Sequence, residues 1–216
     1  MLTDFLTNFK PIQFFIVITA IIVLLYHNKK KHSHKILAGI VSVCLINEIV
    51  TTFFVISDWD YSLVFNVCNA IHNVLWLLLL YQILGFTWFY KVLSLLYVLG
   101  AVVSFFMVLN GYKIANAYMF ITGAFLYIII LTGRTIHYLK KENFDVFLSN
   151  NTILLYIPVL LFLGFSFILG FWSGPLADTV LIGNLNLYEI IGYFVNLIYY
   201  TLIIIYIYRE KKLADA

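Results

Sequence analysis

The sequence predicts an all-α fold, a polytopic membrane protein built as a bundle of seven transmembrane helices, with the N-terminus outside and the C-terminus cytoplasmic. Three observations carry that expectation. Of the 216 residues, 63% are apolar or aromatic and only 11% are charged, against about 25% charged in soluble domains. The apolar residues gather into runs near the roughly 20-residue length that a helix needs to cross a bilayer core of about 30 Å. The connections between these runs alternate between basic and acidic. Such a composition excludes a soluble globular domain, a disordered chain and a free nucleic-acid-binding module.

The seven runs cover approximately 12–26, 36–57, 62–84, 92–109, 114–133, 152–172 and 188–208. The first is the shortest, and Phe5, Leu6 and Phe9 either extend it or lie in the interface. Asp4 precedes it, a basic cluster follows it, and no small-residue cleavage site is present, so it reads as a retained helix and not a signal peptide. No linker divides the chain, and residues 1–216 read as a single seven-helix domain. The longest connections, near 135–151 and 173–187, have room for a short interfacial helix each. In the first, Ile136, Leu139, Phe144 and Phe147 supply apolar contact. Trp59, Trp88, Phe89, Tyr90, Trp172 and Tyr188 fall near helix ends, as residues of an aromatic belt do.

Charge sets the orientation. Lys29, Lys30, Lys31 and Lys35 occupy the first connection, Lys91 the third, Arg134, Lys140 and Lys141 the fifth, and Arg209, Lys211 and Lys212 the tail. The opposite side carries Lys10 and Lys113 with Asp4, Asp58, Asp60 and Asp178. By the positive-inside rule the lysine-rich side faces the cytoplasm. His27, His32 and His34 lie in that lysine-rich segment, whose charge repels a metal cation. It reads as a solvated loop that sets topology and touches anionic headgroups.

Ionisable groups inside a membrane helix are costly and mark candidate functional positions. Glu48, in the second run, lies about 13 Å below the outer end at a rise of 1.5 Å per residue. The third run brings in Asn66, Asn69, His72 and Asn73. Spacings of three and four set the asparagines near one stripe with His72 on its flank. Asn196 in the seventh run is about 12 Å deep, below Glu189 and just before Tyr199 and Tyr200, and Thr122 reaches a similar level. Glu48, Asn69, His72, Asn73 and Asn196 are therefore the candidate ligand-binding residues, converging in the outer half of the bundle. The alternative is interhelical hydrogen bonding, worth about 0.6 kcal/mol per contact. Pro158 withholds a backbone donor and kinks the sixth helix, and Gly164 and Gly170, with Ser166 between them, favour close helix packing.

Catalytic chemistry is not expected. The last run contains no Schiff-base lysine, and no His-Glu-x-x-His pair, Gly-x-Ser-x-Gly elbow, phosphate loop or dinucleotide-binding glycine pattern occurs. Ser166 or Ser173 with His72 is the only conceivable nucleophile pair. No catalytic residue, metal or cofactor is assigned. Cys44 and Cys68 both sit in apolar runs and do not form an extracellular disulfide framework.

Asn69-x-x-His72 can be laid against Asn196-x-x-Tyr199, and with the seven-helix, N-out plan this resembles sugar transporters of the SWEET type. Asn47-Glu48, Phe65-Asn-Val-Cys-Asn-Ala-Ile-His72, Ile157-Pro-Val-Leu-Leu-Phe-Leu-Gly164 and Asn196-x-x-Tyr199 together resemble seven-helix membrane proteins common in Bacteroidetes. That second resemblance spans nearly the whole chain and implies a bacterial cytoplasmic membrane and the company of sensor kinases. The leading functional expectation is a sensor that binds a small-molecule ligand in an outward-facing polar pocket and signals to a separate cytoplasmic protein. Transport of a small solute through the same residues and a structural or assembly role are the alternatives. The lipid bilayer is the one partner that composition itself implies; nucleic acid is not expected.

Overall fold

Long runs of leucine, isoleucine, valine and phenylalanine exceed strand length, and within hydrocarbon their backbone groups must bond internally, which selects helices. A computed structural model of the chain describes residues 11–28, 30–142, 144–147, 149–170, 180–182 and 185–215. Asp4, Phe5, Leu6, Phe9, Lys10, Lys29, Trp172, Ser173 and Asp178, to which the sequence reading gave roles, lie outside the described residues. The helices are α1 (Pro11–Tyr26), α2 (His32–Ile56), α3 (Ser62–Leu84), α4 (Trp88–Leu109) and α5 (Ala115–Lys140), then the single turn α6 (Phe144–Phe147), α7 (Asn150–Gly170) and α8 (Leu187–Asp215). Six of them, α2 to α5, α7 and α8, are long and apolar enough to cross a membrane. The protein is thus a helical, multi-pass membrane protein.

Helix α1, with 16 residues, is shorter than the other long helices. It buries Gln13, Ile16, Thr19, Ala20 and Val23, a stripe spaced by three and four, and leaves Phe14, Ile18, Ile21 and Leu25 exposed. Several helices run past the hydropathy limits. α2 begins at His32 instead of 36, α5 continues to Lys140, and α8 reaches Asp215. Hydropathy marks only the hydrocarbon-embedded part, whereas lysine and arginine are good helix formers and extend their heads to the interface.

The connections differ in part from expectation. In 135–151, Ile136 and Leu139 belong to α5 itself, and only Phe144–Phe147 forms a separate turn. In 173–187 the described portion is extended, with β1 (Val180–Ile182) pairing antiparallel with β2 (Leu185–Asn186), not an interfacial helix. At the start of α8, Glu189 N donates to Asn186 Oδ1 at 2.8 Å and Asn186 N donates to Glu189 Oε2 at 3.2 Å. This reciprocal capping box explains Glu189 as a helix-start residue.

Packing forms a closed ring, α1–α2–α3–α5–α7–α8 and back to α1, with α4 outside it against α3 and α5 and with α3 also touching α7. α4 exposes Leu95, Leu99, Val102, Val103 and Phe106, an apolar surface that only lipid or another apolar partner covers favourably. Close approaches hold the ring. A Cβ at Gly164 would lie 2.5 Å from Val195 Cγ1 on α8, whereas Gly170 faces open space, so only the first of the two glycines serves packing. α3 ends at Gly85, whose φ of 63° suits a residue without a side chain. The Leu84 carbonyl there accepts from Arg134 Nη2 and from Tyr138 Oη. In α7, Pro158 withholds an amide donor within the helix, and Tyr127 Oη donates to the nearby Leu155 carbonyl at 2.7 Å.

At the end opposite the lysine cluster, Asp60 accepts from Ser62 N at 2.9 Å and Ser62 Oγ at 2.6 Å, while Lys113 Nζ reaches its other oxygen at 2.8 Å. This pair joins the α2–α3 turn to the α4–α5 turn. The Lys113 ammonium, then the Ser62 donors, hold the Asp60 carboxyl well below the usual carboxylate range. A depressed folded-state value means that the contact is complete above the unfolded value and is lost only as pH falls through the folded one. A carboxyl-carbon NMR titration is expected to show Asp60 still ionised below the usual carboxylate range, and Lys113→Ala to raise its midpoint; an ordinary midpoint that the substitution leaves in place would contradict the pairing.

Candidate functional site

Helices α2, α3, α7 and α8, with Phe120 of α5, line a partly open cavity of about 120 Å³. Helical periodicity decides which side chains face it. α2 supplies Cys44, Asn47 and Glu48; α3 supplies Phe65, Cys68, Asn69 and His72. From α7 come Leu161, Phe165 and Leu169, and from α8 Asn196, Tyr199 and Tyr200. Within each set every member has another three or four residues away, the intervals that share a helix face.

Four of the five candidate residues from the sequence, Glu48, Asn69, His72 and Asn196, line this one cavity, and Asn73 does not. The asparagine stripe of α3 is divided between two interfaces. Asn69 borders the cavity, whereas Asn66 and Asn73 face α4 and α5. Asn66 Nδ2 donates to Ser104 Oγ at 2.9 Å and Asn116 Oδ1 at 2.6 Å, and Asn73 Nδ2 donates to Tyr97 Oη at 3.0 Å. Thr122 is exposed on α5 and bonds its own helix at the Tyr118 carbonyl, away from the cavity.

The polar groups of the cavity are engaged to different degrees. On the α1 side, Gln13 Nε2 donates to Glu48 Oε2 at 3.1 Å and to Thr52 Oγ1 at 2.7 Å. Asn196 Nδ2 turns back onto the Gly192 carbonyl at 2.8 Å. On the cavity wall two buried atoms have no hydrogen-bond partner, the acceptor Asn47 Oδ1 and the donor Asn69 Nδ2; among the described residues Asn66 Oδ1, Asn73 Oδ1, Arg134 Nε and Ser166 Oγ are in the same position away from it. Such orphans are rare in native structures and mark places where water or a ligand completes the bonding.

An aromatic layer closes the cavity toward the lysine-rich end. Trp76 Nε1 donates to both His72 Nε2 and Tyr199 Oη at 3.2 Å. Because an indole only donates, His72 Nε2 is the unprotonated ring nitrogen. Trp76, Tyr127, Phe162 and Tyr199 are almost wholly buried, and their rings meet edge to face. His72 is thus bonded to this layer, and Glu48 to Gln13 on the other side of α2.

A second polar cluster sits at the lysine-rich end, where sequence reasoning placed only solvated charge. Glu210 on α8 is 6% exposed. It pairs with Lys31 Nζ and accepts from Asn150 Nδ2 at 2.9 Å. His34, 2% exposed, accepts the Asn28 amide on Nδ1 at 2.9 Å and so carries its proton on Nε2, which faces Tyr206 Oη at 3.2 Å and Glu210 Oε2 at 3.4 Å. His34 is therefore not part of a solvated loop; the helix start folds it inward against α8. Nearby, Ser33, Gln82, Asp145, Ser149 and Asn151 line a polar groove of about 400 Å³.

Asn47 and Glu210 are residues that the sequence reading did not place in the candidate site, Asn47 having entered it only within the Asn47-Glu48 resemblance. Asn47 is three residues beyond Cys44 and adjoins Glu48, a spacing that puts it on the cavity face. Glu210 follows Tyr206 by one turn, but its burial depends on the distant residues Lys31 and Asn150. Among the described residues, no group of three or more His, Cys, Asp or Glu is arranged to hold a metal ion.

What fold and site define is a helical multi-pass membrane protein with a small, partly polar cavity inside its bundle. No family model matches the chain, and neither a curated protein nor a solved structure matches it.

Proposed function

We propose that the protein is a seven-span sensor in a bacterial cytoplasmic membrane, N-terminus outside, that binds a small polar solute in the cavity and relays its occupancy to a cytoplasmic protein. In this reading the cavity binds its ligand without transforming it. The apolar outer face of α1 supports counting it as the seventh span, and the lysine-rich end supports the orientation. The relay rests chiefly on one observation. A single stripe of α8 carries half-buried Asn196 and buried Tyr199 at the cavity, then Ile203, and then Tyr206 and Glu210, also buried, in the cluster with Lys31, His34 and Asn150. A rigid helix that is bonded at both levels transmits a shift at one to the other, provided that ligand favours one of two arrangements.

Hydrogen–deuterium exchange tests the relay. Filling the cavity by methylthiolation of Cys44 and Cys68 is expected to change exchange in 28–34 and 206–213, and Glu210→Gln to weaken that response. Unchanged exchange at the lysine-rich end would exclude the relay. Solute transport is the second reading, favoured by the groove beyond the aromatic layer, which gives the bundle polar recesses on both sides of it. Transport requires flux into sealed vesicles that Asn196→Ala abolishes.

A further inference from the structure

The hydrogen-bonding groups that the cavity leaves open define a ligand more narrowly than "polar". Asn47 Oδ1 accepts and Asn69 Nδ2 donates, and neither is satisfied by protein. They stand on α2 and α3, in a wall where phenylalanine, leucine, valine and thiol groups alternate with Glu48, His72, Asn196, Tyr199 and Tyr200. A mixed wall with one open acceptor and one open donor suits a small organic molecule that carries both a donor and an acceptor beside an apolar part. Volume limits the size. A cavity of about 150 Å³ admits benzene, so one of 120 Å³ takes about four to six non-hydrogen atoms.

We infer that the cavity takes a small neutral solute of the carboxamide class, about the size of acetamide, whose N–H donates to Asn47 Oδ1 and whose carbonyl accepts from Asn69 Nδ2. This rests on the reading of the cavity as a solute site and names the class of solute. A carboxamide presents a donor and an acceptor on two atoms bonded to the same carbon, complementary to one asparagine oxygen and one asparagine nitrogen. Its methyl or short alkyl group meets Phe65, Phe165 and Leu161. The Glu48 carboxylate keeps its bond from Gln13 and plays no part in recognition here. Carbonyl and amide groups of this kind also cost less to desolvate than an ion would.

The native thiols of Cys44 and Cys68, both on the cavity wall, report occupancy. The test uses the full chain in nanodiscs and follows their modification by methyl methanethiosulfonate, read at each site by mass spectrometry. With a dissociation constant of about 10 mM, in the range open to a four-atom ligand, about 50 mM acetamide slows modification about six-fold. Methylammonium chloride and sodium acetate at the same concentration leave the rate unchanged. Asn69→Leu and Asn47→Leu each remove the acetamide protection, and the solute panel on the unsubstituted protein holds even if a variant misfolds. Protection by methylammonium or acetate as good as that by acetamide overturns the carboxamide class and leaves the solute site standing. Reactive thiols that no solute protects show a cavity filled by water only, which overturns both, as do thiols that the reagent never reaches. Protection that survives both asparagine substitutions overturns the assigned contacts.

Discussion

Trp76→Ala is expected to lower the stability of the protein by about 3–5 kcal/mol, the range for deleting a fully buried aromatic side chain. Trp76 has no exposed surface, and its indole is the shared donor that ties His72 of its own helix to Tyr199 of α8. Its ring also packs edge to face on Tyr127 and Tyr199. Removal therefore leaves a void and takes the indole donor from both His72 and Tyr199, so that only their 3.4 Å contact still joins α3 to α8 at this level. Trp76→Phe separates these contributions. It fills much of the void, leaves His72 and Tyr199 still 3.4 Å apart, and should cost about 1–2 kcal/mol. Reversible unfolding in bicelles measures both. A loss under about 1 kcal/mol for the alanine variant would mean that the aromatic layer does not hold the ring closed.

Gly123→Ala is expected to cost about 1–3 kcal/mol, although it adds a single methyl group to a helix and alanine is the better helix former. A Cβ there would lie 2.5 Å from Asn73 Nδ2 and 2.7 Å from Tyr97 Oη, on the two partners of one buried hydrogen bond. Both groups must move, and the bond between α3 and α4 opens. Tyr97→Phe deletes the hydroxyl and part of the collision, so the double variant should lose less than the sum of the single ones. Additive losses in such a double-mutant cycle would place the strain elsewhere.

These two sites show what the sequence could and could not reveal. The helices were legible because apolar runs near 20 residues have few other solutions in a bilayer. The level of the cavity was legible too. Counting 1.5 Å per residue from opposite ends brings Glu48, Asn69, His72 and Asn196 to one depth, and these four line one cavity. Asn73 illustrates the limit. Asn66, Asn69 and Asn73 share about 60° of helix surface, and the border between two interfaces runs through that sector. Only the position of α4 and α5 tells which asparagine turns which way. Helix ends were less legible, since His32, Ser33 and His34 look like loop residues until Glu210 and Tyr206 are brought beside them. Contacts between Lys31 and Glu210 depend on ring closure across most of the chain, and no local pattern announces them.

The ring has a temporal side. Contacts among α2, α3, α4 and α5 join neighbours along the chain, and each can form as soon as the next helix is inserted. The seam between α1 and α8 instead unites segments from opposite ends of the described chain. Loop-closure entropy makes such a contact late. One wall of the cavity, with Asn196, Tyr199 and Tyr200, arrives with that last segment. During synthesis the cavity is therefore expected to stay an open cleft, exposing Glu48 and Asn69 to lipid or to a chaperone until α8 docks. Ribosome-bound chains that stop before Leu187 should expose Cys44 and Cys68 to thiol reagents, and completion of α8 marks the birth of the binding chamber.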